Sequence, residues 1–338
     1  MTDKHKTLSI AFQTDKPMAA YAPLAAAVEE YGFDGVSVYN DMLYQPAWLP
    51  LMEMARATRR IRIGVAAVNP FTCHPINIAG QIALIDEVAD GRAYLGMARG
   101  GWLDFVGLQP QRPIRALREA FTCVRHLLSG STAPLAGEIF PLAGGDSLRW
   151  SIQRPDIPFL LGTWGRQTIR SCVDLVSEIK IGGSANPDIV PHYDQMIAEA
   201  LPEATREERA GIVMGAVTVV DEDGVAARNL ARREVALYLP LIADLDPTLN
   251  IEPELLSRLR QATAAYDFEG AAALISDDLL ARFAFAGRPD DVAQQAAAIF
   301  AAGGRRVEFG TPHGLTAERG LELLGSRVLP ALRDYSET

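Results

Sequence analysis

Ile61-Arg-Ile-Gly-Val-Ala-Ala-Val-Asn69-Pro70-Phe-Thr-Cys-His74-Pro75, followed after an apolar-faced stretch by Asp86-Glu-Val-Ala-Asp-Gly91-Arg92-Ala-Tyr-Leu-Gly96-Met-Ala-Arg-Gly-Gly101, decides the fold. The first run is β-branched and small and does not alternate, which suits a strand buried on both faces of a parallel sheet or barrel. Asn69-Pro70 stops it. Pro75 opens a helix at the position where its missing N–H costs nothing, and Ile78, Ile82 and Ile85 mark one apolar helical face. A second short strand at residues 93–97 ends in Arg99-Gly100-Gly101, where backbone can approach a ligand closely. The stretch is one βαβ unit with both strand ends decorated.

The same alternation continues outward in both directions. Leu8, Ile10 and Phe12 mark a first strand, a helix is expected over residues 18–31 with Gly32 as its stop, and residues 35–39 form the second strand. Pro46 begins a helix that turns Trp48, Leu51, Met52 and Ala55 inward, and a fourth helix carries the stripe Ile114, Leu117, Phe121, Val124, Leu128. Residues 131–156 are rich in Gly, Pro and Ala and read as an inserted flap, with 139–140 and 148–150 as hairpin arms. Further strands are expected at 159–162, 179–181, 212–220 and 306–309. The gap between the last two is too long for one crossover helix, so helices at 254–266 and 269–285 are inserted there.

Eight strands with intervening helices predict an α/β chain of the (β/α)8 TIM-barrel class with insertions. The expected organisation is a single TIM-barrel domain over 1–338, with a flap at about 131–157 and a helical, substrate-side insertion at about 221–285. Chemistry then belongs at the strands' C-terminal ends, which nominates Gln13, Asn40, Asp41, Asn69, Arg99, Trp102, residues 162–166, Gly182 and His313.

Composition narrows the partners. A net charge of −10 with no basic stripe disfavours nucleic acid and anionic membranes. The N-terminus lacks an apolar h-region and no run of about 18 apolar residues occurs, so a cytoplasmic protein is expected. Three cysteines without a Cys-x-x-Cys pair and five histidines without paired spacing indicate neither disulfides nor a metal site.

The turn Asn-Pro-Phe-Thr-x-His-Pro, with Asp-Glu-x-x-x-Gly-Arg-x-x-x-Gly at this distance, resembles the bacterial-luciferase-like flavin- and deazaflavin-dependent oxidoreductases. Gly162-Thr163-Trp164-Gly165-Arg166, Gly287-Arg-Pro289-Asp-Asp and Phe309-Gly-Thr-Pro-His-Gly314 fit the same pattern, although residues 221–285 match nothing in it. Within the family the chain is most similar to the branch that uses coenzyme F420, whose namesake is methylenetetrahydromethanopterin reductase. The resemblance implies hydride transfer between the reduced deazaflavin and a C=C, C=N or C=O bond of a small-molecule substrate, and a homodimer. A two-component FMN-dependent monooxygenase and a barrel that binds a flavin without turnover are the alternatives.

Site residues follow from position and resemblance together. Residues 162–166 open a helix whose free N–H groups suit a phosphate, with Arg166 and Arg170 adding charge, and relatives dock the coenzyme's phosphate-bearing tail there; an ordinary βα turn is the plainer alternative. Ala66-Ala67 lies where relatives commonly have a non-proline cis peptide against the deazaflavin ring, although small residues in a barrel are also simple packing. Asn69, Thr72 and Asn40 are candidates to hydrogen-bond the ring, with Gly182 beside it. His74 is a candidate catalytic residue or a helix cap. Asn40-Asp41 stands where many relatives carry Asp-His, and Gly101 where some carry an acid, so Asp41, Asp104, Tyr39 or water is the candidate proton donor in their absence. Arg99 is suited to clamp an anionic substrate group, and Tyr39, Trp48 and Trp102 to wall the substrate pocket. Cys73 lacks a nucleophile's partners.

Overall fold

The computed structural model describes residues 6–337, the last four as backbone only; the polar start of the chain, residues 1–5, and residue 338 lie outside the described residues. Nine parallel strands form one sheet: β1 (Thr7–Phe12), β2 (Gly35–Val38), β3 (Arg62–Val68), β4 (Ala93–Ala98), β5 (Phe159–Gly162), β6 (Glu178–Gly182), β7 (Gly211–Val220), β8 (Ala284–Gly287) and β9 (Arg306–His313). β1 to β7 pair in sequence, β7 pairs with β9 and β9 with β1, so eight strands close the expected TIM barrel. The ninth, β8, lies outside the ring. β6 holds Gly211 to Gly215 of β7 and β8 holds Val217 to Val220, so β8 continues the edge that β6 leaves.

Six helices return the chain between the first seven strands: α1 (Tyr21–Tyr31), α2 (Trp48–Ala57), α3 (Pro75–Val88), α4 (Pro113–Leu128), α5 (Arg166–Cys172) and α6 (Ile189–Ala200). Gly32 ends α1 in the left-handed conformation at φ 86°. On α2 the inward residues are Pro50, Leu51, Met54 and Ala55, with Met52 and Trp48 only half-buried, because the helix starts at Trp48 and its phase is set from there. The α4 stripe is buried from Leu117 to Leu128, and Ile114 is half-buried.

The flap differs from expectation. Residues 129–158 form no hairpin; one antiparallel bridge, Leu135 to Leu142, is the only pairing among the described residues. A carboxylate replaces the missing ladder: Glu119 of α4 accepts the backbone N–H groups of Glu138, Ile139 and Phe140 at 3.1, 2.8 and 3.1 Å. Burial pushes the Glu119 carboxyl up, but these three donors and Arg115 outweigh it and pull it down to about 2.

After β7 come α7 (Gly224–Ala236), α8 (Leu239–Ile242), α9 (Pro253–Ala264), α10 (Phe268–Ala273) and α11 (Asp277–Leu280), packed around their own apolar cluster. The single helix expected over 269–285 is therefore two short helices and a strand. Asp267 and Ser276 each cap a fresh start, accepting from Gly270 N and Leu279 N, and Phe283 and Phe285 are buried against the sheet instead of continuing a helix. α12 (Pro289–Ala301) leads to β9, and α13 (Ala317–Leu323), a π turn at Leu324–Val328 and α14 (Leu329–Glu337) complete the chain, burying Leu321, Leu324, Val328 and Leu332 as the spacing predicts.

Side chains alternate across each strand. Ile10, Val36, Ile63, Leu95, Phe159, Ile179 and Val307 face the helices in the main apolar cluster. The other face lines the barrel, and it is largely polar: Ser9, Ser37, Arg62, Tyr94, Glu178, Lys180, Arg306 and Glu308. Arg306 bonds Glu178 at 3.0 Å and the Tyr94 hydroxyl at 3.2 Å, Arg62 bonds Glu178 at 3.2 Å, and Ser37 donates to Glu308 at 2.7 Å. Lys180 and Glu308 form an ion pair above them, both buried. Burial alone would raise the Glu308 carboxyl, yet Lys180, Arg306 and Ser37 together hold it below its usual value. Glycines of neighbouring strands make room: a Cβ on Gly215 would lie 2.8 Å from Lys180 Cε.

Replacing Lys180 by Met leaves Glu308 short of a counter-charge inside the barrel and is expected to cost about 3 kcal/mol. Adding Glu308→Gln to that variant should recover part of the loss in urea unfolding. A double variant less stable than Lys180→Met alone would contradict the pairing.

Candidate active site at the barrel mouth

The C-terminal ends of four adjacent strands carry almost no side chain into the barrel. Ala66, Ala98, Gly162 and Gly182 occupy the inward positions at the tops of β3 to β6, and a Cβ on Gly182 would meet nothing within 4 Å. The peptide between Ala66 and Ala67 is cis, and the β3–β4 register shifts between Val65 and Val68. Small side chains therefore line one side of the barrel's upper end. Tyr39 closes its floor on the other side. Its hydroxyl reaches across to β9, where a Cβ on Gly310 would come within 2.8 Å, and the Lys180 ammonium lies 5.3 Å from its ring centre. Burial, then the carboxylates of Glu308 and Asp41, push the Tyr39 phenol well above its usual value, so it stays neutral.

Around this upper end the nominated residues occupy distinct places. Asp41 is exposed and accepts a 2.8 Å hydrogen bond from Gln13 Nε2, which joins the rims of β1 and β2. Asn40 accepts from Ala47 N at 3.1 Å and shapes the loop into α2. Asn69 is buried and its Oδ1 gathers Phe71 N, Thr72 N and Thr72 Oγ1 at 3.0, 2.9 and 3.1 Å, while its amide nitrogen faces Gly100 across the gap to the β4 loop. His74 is exposed and is the N-cap of α3: Nδ1 accepts from Ile76 N at 3.2 Å, and the ring stands edge-on to Phe140 at 5.3 Å. That geometry is the capping role of the two considered for it.

On the β4 loop, Arg99 is exposed, Trp102 is 54% exposed in a left-handed backbone conformation, and Asp104 is exposed in a 3-10 turn, Leu103–Val106. Trp48 is half-buried at the start of α2 and packs against the main apolar cluster. Thr163 Oγ1 accepts from Gly165 N at 3.0 Å, and no side chain caps α5. Trp164 Nε1 donates to Gly182 O at 3.0 Å, which joins the β5 and β6 loops. Arg166 is exposed and paired with Glu199, and Arg170 is exposed in the last turn of α5. Cys73 is half-buried, and burial raises its thiol. Among the described residues no group of three metal-ligating side chains converges.

The model of the luciferase-like monooxygenases matches residues 7–306. The chain belongs to the luciferase-like monooxygenase family. Within this family, the 5,10-methylenetetrahydromethanopterin reductase of Archaeoglobus fulgidus is 26% identical over 90% of this chain and 93% of its own. That of Methanopyrus kandleri is 27% identical over 95% and 96%. The solved structure of the F420-dependent tetrahydromethanopterin reductase from Methanopyrus kandleri superposes with a TM-score of 0.86 at 24% identity, covering 97% of this chain and 99% of that one.

Tyr39, nominated from the sequence, meets two interior residues that no motif marks, Lys180 and Glu308. A signal for them exists in the sequence. Glu178-Ile-Lys180-Ile and Arg306-Val-Glu308-Phe alternate charge with apolar residues in strands that a barrel buries on both faces, so their charges have to meet inside.

His313, at the top of β9, gives the mouth a pH dependence. It is buried at φ 77°, its Nε2 donates to Ala11 O at 3.0 Å, and burial lowers its pKa to about 4. The folded state therefore refuses a proton that the unfolded chain accepts. Its contribution is complete above the unfolded value of 6.5 and is lost as pH falls towards about 4. Unfolding free energy should drop by about 2–3 kcal/mol between pH 7 and 4.5. His313→Asn, which tolerates the left-handed backbone, should flatten that slope in denaturant titrations at each pH.

Proposed function

We propose that this chain is a coenzyme F420-dependent oxidoreductase that moves a hydride between the reduced deazaflavin and a C=C, C=N or C=O bond of a small-molecule substrate. What carries this reading is the likeness, over nine-tenths or more of both chains, to relatives named as 5,10-methylenetetrahydromethanopterin reductases, together with an F420-dependent glucose-6-phosphate dehydrogenase of Nakamurella multipartita, 24% identical over 92% of this chain and 92% of its own. The small-residue wall of Ala66, Ala98, Gly162 and Gly182 fits a flat tricyclic ring without displacing a side chain.

Bound at the mouth, coenzyme F420 supplies a hydride from its reduced ring. Residues 162–166 would hold its phosphate, with Arg166 beside them and Arg170 further along α5. The free amide of Asn69, Thr72 and Asn40 orient the ring. Asp41, aimed by Gln13, supplies the proton that balances the hydride, with Asp104 as the second acid of the rim and Tyr39 as the neutral floor. Arg99, Trp102 and Trp48 border the substrate, and the insertion after β7 covers it. His74 caps α3 through Nδ1. The working unit is a cytoplasmic homodimer.

Membership of the luciferase-like monooxygenases favours one other reading, reduced FMN with oxygen as co-substrate. Titrating the purified protein with coenzyme F420, followed by ring absorbance, should give saturable binding at one site per chain, and Arg166→Ala should weaken it about tenfold. Tight FMN binding with oxygen uptake, and none of F420, would move the assignment to the monooxygenase chemistry.

A further inference from the structure

The loop that follows β6, residues 182–188, is gripped from two sides. On one side lies the candidate tail loop: Gly182 O accepts from Trp164 Nε1, Trp164 O accepts from the Tyr193 hydroxyl at 2.8 Å, and the Trp164 ring packs against both apolar clusters, the barrel's and the insertion's. On the other side lies the insertion. Gly183, at φ 80°, has no Cβ, and Ile242 of α8 fills the space one would need.

Asn186 is the centre of the second grip. Fully buried, it donates through Nδ2 to Asp246 Oδ2 at 2.9 Å and to Thr248 Oγ1 at 2.8 Å, and its Oδ1 accepts from Arg282 at 2.6 Å and from Asp188 N at 3.1 Å. Both protons and both lone pairs of the amide are used. Asp246, itself buried, also accepts from Thr248 N and Oγ1 at 2.9 and 2.6 Å, while Arg282 pairs with Asp188 and its carbonyl accepts from Ala185 N at 3.0 Å. Apolar packing alone permits many seatings of an insertion on a barrel. A buried amide with every partner satisfied permits one, because any slip strands a charge or a donor.

We propose that Asn186 is a positioning residue for coenzyme binding. Through Asp246, Thr248 and Arg282 it fixes the insertion to the β6 loop, and through Gly182 and Trp164 that loop sets residues 162–166, so tail site and insertion form one mechanical unit. This rests on the reading of residues 162–166 as the tail site.

The test compares two ligands on the full chain: coenzyme F420, and 8-hydroxy-5-deazariboflavin, which carries the same ring without the phosphate-bearing tail. Asn186→Leu should weaken F420 about tenfold and leave the tailless ring within about twofold. Thr248→Val, which removes a single partner and spares the fold, should show the same selectivity at roughly a third of the size. F420 added to the wild type should slow hydrogen exchange in residues 237–248, and the effect should vanish in the variants. Equal weakening of both ligands, or no weakening of either, overturns the positioning role. Wild-type protein that binds the tailless ring as tightly as F420 overturns the tail site itself, and the inference with it.

Discussion

A parallel strand in a closed ring has no face towards solvent, so every charge it carries must find its counter-charge inside the ring or the fold loses the free energy of desolvating it. This constraint organises the barrel. Arg62, Glu178 and Arg306 occupy the beginnings of β3, β6 and β9, stacked around the Tyr94 ring, which lies 4.9 and 5.0 Å from the two guanidinium carbons. They seal the lower end. Lys180, Glu308 and Ser37 form the layer above, and only after these are paired does the interior turn to small residues and open upwards. The mouth exists because the charged layers below fill the barrel and fix how its strands are staggered.

The outer shell of the fold was legible because its signals are local. Ile61 to Val68 lacks alternation, Gly32 and Gly130 punctuate helices, and Ile78, Ile82 and Ile85 keep a helical phase that tertiary contacts merely confirm. β8 was illegible for the opposite reason. Ala284-Phe-Ala-Gly follows Leu279-Leu-Ala-Arg-Phe283 with no breaker between them, and the vacant upper edge of β7 makes it a strand. The flap likewise depends on Glu119, far away in the chain, to receive the N–H groups that a hairpin would have paired.

The rim shows the same division. Asn69 and His74 lie within a few residues of the groups they bond, so a turn motif betrays them, although the motif does not say whether they serve the backbone, a ligand or both. Tyr39 and Asn186 carry no motif. Their partners, Lys180 and Gly310 for the first and Asp246, Thr248 and Arg282 for the second, are brought together by closure of the ring and by the insertion folding back over it.

Electrostatics explains why such long-range arrangements matter at this mouth. A net charge of −10 opposes the approach of an anionic ligand at long range. The favourable charges are few: Arg99 on the β4 loop, Arg166, already paired with Glu199, at the start of α5, and an interior where Arg62, Lys180 and Arg306 face Glu178 and Glu308, one positive charge in excess. Beyond about 10 Å, salt screens such contributions at the surface, so attraction acts only once a ligand's charge sits beside these groups. For an acidic barrel, holding an anion under the proposed reading would depend less on its overall field than on where a few side chains and backbone N–H groups are placed, and the buried polar joint at Asn186 fixes the loops that carry them.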